Sequence, residues 1–195
     1  TSPGEPLCLW TQDKTRIAAA LLAAVCNGPR IIIPYAFSLQ ALDEVRSSIS
    51  FSKILSKGKD APPVDCTVIM PDSVASPAPL VYTAGDADTP RVMLFTGGST
   101  GKPKLWSKTA RNLFGEALLL TETFGIGPQD CILATVPPQH IYGLLFSVLV
   151  PLVSGCTVLE PVYSFPQEIL AAVRDSGATI LVSVPSQYHV LKTEG

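Results

Sequence analysis

Short apolar runs alternate with amphipathic stretches along the whole chain, and glycine or proline stands at most of the changes. Leu7 to Trp10 reads as a strand, and Ile17, Leu21, Leu22 and Val25 then mark one helix face that stops near Gly28. Arg30-Ile-Ile-Ile-Pro34 reads as a second buried strand. Ser38 is placed to cap a helix with apolar positions Leu39, Leu42, Val45 and Ile49; Phe51 to Leu55 and Val64 to Met70 follow as strands. Parallel neighbours need a crossover and usually take a helix for it, so this order predicts an α/β fold of mostly parallel sheet layers with flanking helices.

The same rhythm resumes after Pro71, Pro77, Pro79 and Pro90, which punctuate a loop-rich passage. The expected organisation is therefore a first βα portion over 1–70, a connection over 71–90 and a second βα portion over 91–195. In the last of these, Val92 to Thr96 reads as a strand, Lys104 to Lys108 as an extended segment, and Thr109 to Phe124 as a helix closed by Gly125. Cys131 to Val136 is a further strand, with an apolar helix after His140. Ser164-Phe-Pro-Gln167 has the spacing of a capping box for a helix ending at Gly177, before a strand over Thr179 to Val184.

Composition narrows the functional classes. Of 195 residues, 47% are hydrophobic and 15% charged, against about 25% charged in an average domain. A coiled coil or an acidic tail is excluded. The net charge of −2, with no basic block, makes nucleic acid a poor partner. Five dispersed cysteines without a Cys-x-x-Cys pair predict a reducing compartment, and with only His140 and His189 no protein-held metal is expected. With no signal segment in view, a cytoplasmic location is expected. Ile141 to Leu159 is uncharged over 19 residues, yet Pro151 and Ser154-Gly155 interrupt it. It reads as a helix and a short strand rather than a membrane span.

The chemistry concentrates in Thr96-Gly97-Gly98-Ser99-Thr100-Gly101-Lys102-Pro103-Lys104, directly after an apolar strand. Three glycines let successive N–H groups converge on an anion, two hydroxyls add donors, and two lysines add charge, a set suited to polyphosphate. Thr96 and Pro103 stand where a Walker A loop needs Gly and Ser or Thr, and Pro103 opposes an immediate helix, so a switch-type NTPase is disfavoured.

Phe95 to Lys104 resembles the signature loop of the adenylate-forming superfamily of acyl-CoA synthetases, peptide-synthetase adenylation domains and luciferases. Thr109, Asn112 and Leu113 resemble the family's Thr-His-x-Asn-Leu helix start. Val136-Pro-Pro-Gln-His-Ile-Tyr-Gly143 resembles its Pro-x-x-His-x-x-Gly motif, and Thr179 to Tyr188 its strand ending in Val-Pro. Gly97 stands where the family usually has Ser, Leu105-Trp106 where it has Gly-Val, and Ala110 where it has His. The Lys-Leu-Trp-Ser-Lys-Thr and Gln-His-Ile-Tyr-Gly runs are most similar to bacterial synthetases of aryl polyene or fatty-acid-like pathways.

The resemblance implies that this is the N-terminal portion of a ligase that joins a carboxylic acid to ATP and passes the acyl group to a thiol of CoA or of a phosphopantetheine-bearing acyl carrier protein. It assigns Thr96, Gly97, Gly98, Ser99, Thr100, Gly101, Lys102 and Lys104 to the ATP phosphates, with Gly97 conformational and Lys102 mainly solvated. It places His140, Tyr142 and Gly143 at the acyl pocket, while a helix-start His bonded to backbone is the plainer alternative for His140. Trp106 is expected to pack, and His189 to be structural or exposed. The Tyr-Gly-x-Thr-Glu segment that holds Mg²⁺, the Thr-Gly-Asp at the ribose and the late adenylation lysine have no match here. No catalytic residue is therefore assigned, and the isolated chain is expected to be inactive. Faces meant for the rest of the protein would be apolar and exposed, predicting self-association. A non-catalytic nucleotide- or partner-binding module that keeps the phosphate loop is the second reading, and an unrelated phosphate-handling enzyme the third.

Overall fold

In the computed structural model, residues 4–57, 61–63, 65–70, 85–97 and 103–194 are described. They divide into two units, Thr1–Asn112 and Leu113–Gly195.

The first unit is a six-stranded sheet in the order β4-β3-β1-β2-β5-β6. It is built from β1 (Leu7–Trp10), β2 (Ile31–Ile33), β3 (Lys53–Ser56), β4 (Thr67–Ile69), β5 (Pro90–Thr96) and β6 (Lys104–Thr109). Every pairing is parallel except β5 with β6. Period-two alternation gives the strands two apolar faces. Cys8, Trp10, Ile32, Ile54, Met93 and Phe95 form one cluster with Leu42 and Val45 of α2 (Leu39–Ser48). The alternate set, Leu7, Leu9, Ile31, Ile33 and Leu94, is also buried, and α1 (Lys14–Val25) contacts β2 and β5. Burial on both faces explains the unbroken apolar strands.

The caps follow from local chemistry. Asp13 accepts the Arg16 N–H at 3.0 Å to start α1, a cap not singled out in the sequence, and Ser38 accepts the Ala41 N–H at 3.2 Å to start α2, as expected of Ser38. The buried face of α1 is Ile17, Ala20, Leu21 and Ala24, so Leu22, expected to be inside, is 41% exposed. Two adjacent leucines lie about 100° apart on a helix, and the sheet takes only one. Leu39 is likewise exposed, because the first position of α2 precedes the turn that faces the cluster.

Strands β5 and β6, which follow the Pro-rich passage, join strands that precede it in one sheet. The 71–90 connection thus belongs to the first unit, with 71–84 outside the described residues, and the units part between Asn112 and Leu113.

The second unit carries a three-stranded parallel sheet, β8-β7-β9, from β7 (Cys131–Ala134), β8 (Thr157–Val158) and β9 (Ile180–Val182). α3 (Ala110–Phe124) leads into it. After β7 the chain forms α4 (Ile141–Leu144), a π-helical turn (Leu145–Leu149) and α5 (Val150–Ser154). The wide turn falls directly before Pro151, whose missing N–H and ring break the ordinary four-residue ladder. Gly155 (φ 74°) then closes α5 in the left-handed conformation. Among the described residues no helix is long and apolar enough to cross a membrane.

α6 (Pro166–Ser176) and α7 (Pro185–Glu194) pack with β7 through Leu133, Ile169, Ala172 and Leu191. The expected Ser164–Gln167 capping box does not form; Phe165 is the N-cap, with no side-chain bond. Pro166 at the first helical position has a preset φ and no N–H to satisfy, so α6 starts without it.

Candidate functional site

Two groups of side chains carry the candidate chemistry, one in each unit. The first is built on the β5–β6 hairpin. Thr96 pairs with Lys104 and Phe95 with Leu105, so the glycine-rich segment is the connection between two hydrogen-bonded strands. Gly98, Ser99, Thr100, Gly101 and Lys102 lie outside the described residues.

The two feet of the loop are well defined. Thr96 Oγ1 accepts from Trp106 Nε1 at 3.3 Å, and Lys104 is exposed. Trp106, expected to pack, is 52% exposed, because β6 is the edge strand and its Lys104–Ser107 stretch is exposed throughout. Its indole instead tethers the foot of the loop.

Among the described residues, a Cβ on Gly97 would meet Tyr35 Cδ2 at 3.9 Å, an ordinary contact. Tyr35 follows β2 and thus lies at the carboxyl ends of the parallel strands, where α/β sheets bind ligands. Its hydroxyl donates to Glu44 Oε2 at 2.6 Å, which lowers the Glu44 pKa and raises that of the phenol. Tyr35 was not legible as a loop neighbour in the sequence, since its only local signal is the proline before it. Ser56, ending β3, buries a hydroxyl without a partner among the described residues at the same side of the sheet.

The second group sits at the carboxyl ends of β7 and β9. Thr135 N donates to Val182 O at 2.9 Å, extending the ladder. Thr135 Oγ1 meets Ser183 Oγ at 2.8 Å and also reaches Gln187 Oε1; Ser183 Oγ donates to the same amide oxygen at 2.9 Å. Thr135 and Ser183 are buried. None of the three was singled out in the sequence; the signal available was polar residues at the ends of two apolar strands.

The chain then turns through Val136-Pro-Pro-Gln139 into α4. His140 is its N-cap and makes no side-chain capping bond; its N–H donates to Pro137 O at 3.1 Å. The imidazole is exposed, yet nearby protein lowers its pKa by desolvation, so it is neutral at pH 7. A neutral ring offers one donor and one acceptor. Among the described residues the ring itself makes no capping bond, and the backbone bond to Pro137 O is the one that fixes the helix start. Gln139 is buried and its Oε1 lacks a donor among the described residues.

Tyr142 and Gly143 differ in what they do. Tyr142 is partly exposed, packs edge-on to Phe146 at 5.2 Å, and has its pKa raised by desolvation and by nearby Tyr188. Gly143 is buried under the preceding turn: a Cβ would lie 2.2 Å from Pro137 O and 2.7 Å from Val136 O. That close backbone approach requires glycine at this position. The hollow on α6, about 480 Å³ and lined by Tyr163, Glu168, Ala172 and Asp175, contains none of these residues and shares none of their chemistry.

A mostly parallel α/β scaffold with a glycine-rich hairpin loop and polar side chains at the strand ends defines the N-terminal domain architecture of adenylate-forming enzymes. The profile of the family described as AMP-binding enzyme matches residues 16–195, and the chain belongs to that family.

Relatives and solved structures agree. Over 105 residues the chain is 35% identical to a sulfoacetate–CoA ligase of Cupriavidus necator, covering 50% of this chain and 21% of that one. Over 168 residues it is 26% identical to a CoA ligase of Gibberella moniliformis, covering 85% and 28%. ATP-bound MatB from Rhodopseudomonas palustris matches with a TM-score of 0.79 at 23% identity, covering 98% of this chain and 41% of that one. o-Succinylbenzoate CoA synthetase from Bacillus subtilis, in complex with its acyl-adenylate intermediate, matches with a TM-score of 0.77 at 19% identity, covering 98% and 52%. The chain thus spans about a quarter of the length of these curated relatives.

Proposed function

We propose that the chain forms the phosphate-loop-bearing part of an AMP-forming acid–thiol ligase. The observation that carries this is the position of the Thr96–Lys104 connection: a family-matched glycine-rich loop slung between β5 and antiparallel β6, with Thr96 and Lys104 paired at its feet. Two CoA ligases among the relatives and an ATP-bound structural neighbour support the reading.

The reaction proceeds in two displacements. A carboxylate oxygen attacks the α-phosphorus of ATP, the bond to the bridging oxygen breaks, and pyrophosphate leaves with the electron pair. The thiol sulfur then attacks the acyl carbon, AMP departs, and the thiol proton goes to solvent. In the first step charge grows on the β,γ-phosphates. Prearranged N–H, hydroxyl and ammonium groups stabilise it, a role proposed for Thr96, Gly98, Ser99, Thr100, Gly101 and Lys104, with Lys102 nearer solvent. Mg²⁺, when bound, neutralises phosphate charge, and its ligands are assigned outside this chain. The acceptor thiol is CoA or the phosphopantetheine of a carrier protein.

His140 and Tyr142 are proposed to face the acid. His140 heads a helix at the end of a parallel strand, and its neutral ring carries one N–H that can donate to the carboxylate of the acid. The test is ATP–pyrophosphate exchange by the full-length protein with a panel of carboxylic acids. Exchange that depends on one class of acid is expected. ATP binding without exchange under any acid would overturn the ligase reading in favour of a nucleotide-binding module.

A further inference from the structure

We infer that Thr135, Ser183 and Gln187 form a hydroxyl–amide clamp that positions His140, making Thr135 a positioning residue for acid binding. This rests on the ligase reading only for its catalytic consequence.

Two hydroxyl protons serve three oxygens: Ser183 donates to Gln187 Oε1 at 2.9 Å, and the Thr135 proton is shared between Ser183 Oγ at 2.8 Å and Gln187 Oε1. Thr135 also holds Val182 O through its N–H at 2.9 Å. The far side is equally fixed: Gln187 N donates to Val184 O at 3.0 Å, and the next residue, Tyr188, donates its hydroxyl to Leu181 O at 2.7 Å. The first turn of α7 is therefore tied to β9 by two side chains and to the end of β7 by one.

Four residues separate Thr135 from His140, and the path between them is pinned at its other end. Gly143 of α4 lies against the carbonyls of Val136 and Pro137 so closely that no Cβ fits. His140 N–H returns to Pro137 O, and Leu144 N–H returns to His140 O at 2.8 Å. With both ends held, the corner carrying His140 has little freedom. Its ring has no hydrogen bond of its own among the described residues, so backbone placement sets the range of rotamers through which it points. Removing the Thr135 hydroxyl loosens the side-chain tie at one end of this path, the backbone ladder remaining, and leaves the Gln187 carbonyl with Ser183 as its donor.

The experiment uses the full-length protein with ¹³Cε1-labelled histidine, the His140 signal being identified by its loss in His140→Gln. Thr135→Val keeps the volume and removes the hydroxyl. It should shift and broaden the His140 signal and lower kcat/KM for the acid about tenfold through KM, leaving KM for ATP unchanged. Thr135→Ser should restore both. Should Thr135→Val fail to fold, Gln187→Met removes the shared acceptor from the other side and should give the same shift. An unmoved His140 signal in folded Thr135→Val or Gln187→Met overturns the clamp, whatever the reaction. If the signal moves but His140→Gln keeps full acid-dependent exchange, the clamp stands and the assignment of His140 to the acid fails.

Discussion

Gly143 lies so close to Pro137 that a Cβ on the glycine would sit 2.2 Å from the proline carbonyl oxygen. Both partners are backbone, so neither can rotate away. Gly143→Ala is expected to destabilise the protein by on the order of 3 kcal/mol, the cost of forced overpacking. Urea unfolding measures it, and a change below about 0.5 kcal/mol would show that the α4 start lies further from the turn.

Gly97 makes the opposite case. Tyr35 Cδ2 at 3.9 Å from a built Cβ leaves room for a side chain. Gly97→Ser, which installs the hydroxyl usual in the family, is expected to keep stability within about 0.5 kcal/mol. It should also tighten ATP binding in calorimetry by severalfold. A collapse of stability would mean that the loop needs glycine there for its own conformation.

Lys104 pairs with Thr96 at the foot of the loop and is exposed. On the ligase reading, Lys104→Met lowers kcat/KM for ATP by about 10²-fold in the full-length enzyme, the scale of losing one prearranged donor to developing charge. The fold should be untouched, since the side chain holds no core contact. An unchanged exchange rate would remove Lys104 from the phosphate site.

Asp130 accepts the Gly127 N–H at 2.9 Å and the Thr179 hydroxyl at 2.8 Å, and these bonds hold its carboxyl below the usual range. A depressed folded pKa stabilises above the unfolded value, and that stability is lost as pH falls through the folded pKa. Asp130→Asn should therefore be less stable than wild type at pH 7, with the gap closing only in strong acid. Denaturation midpoints across that pH range decide it, and a gap independent of pH would mean that the charge contributes nothing.

Helix α3 buries Leu113 and Ala117 while Leu118, Leu119 and Phe124 stay exposed, Phe124 by 64%. Such a face favours association of the chain produced alone. Leu119→Lys should lower the scattering mass without lowering Tm. A monomer before substitution would show that this face is tolerated in water.

Much of this was legible in the order of residues. Apolar runs between glycines and prolines specify buried parallel strands, because strands covered on both faces read that way, and Ser38 acts as a cap through a bond three residues long. The Thr96–Lys104 loop was equally plain, since its chemistry is contiguous. What the chain order hid is what comes from afar. Leu22 and Leu39 have the period of a buried face, but the sheet chooses which side it covers. Trp106 was expected to pack, and an edge strand left it half in water.

The candidate acid site divides along the same line. His140 announced itself by a local motif; Thr135, Ser183 and Gln187 did not. They meet only because β7 and β9 pair in one register, over a separation of about fifty residues. Short-range order, set by hydrogen bonds and φ/ψ preferences within a few residues, was determined by the sequence alone. Which polar groups share a partner was decided by tertiary packing, because those energies exist only once distant segments have excluded water between them.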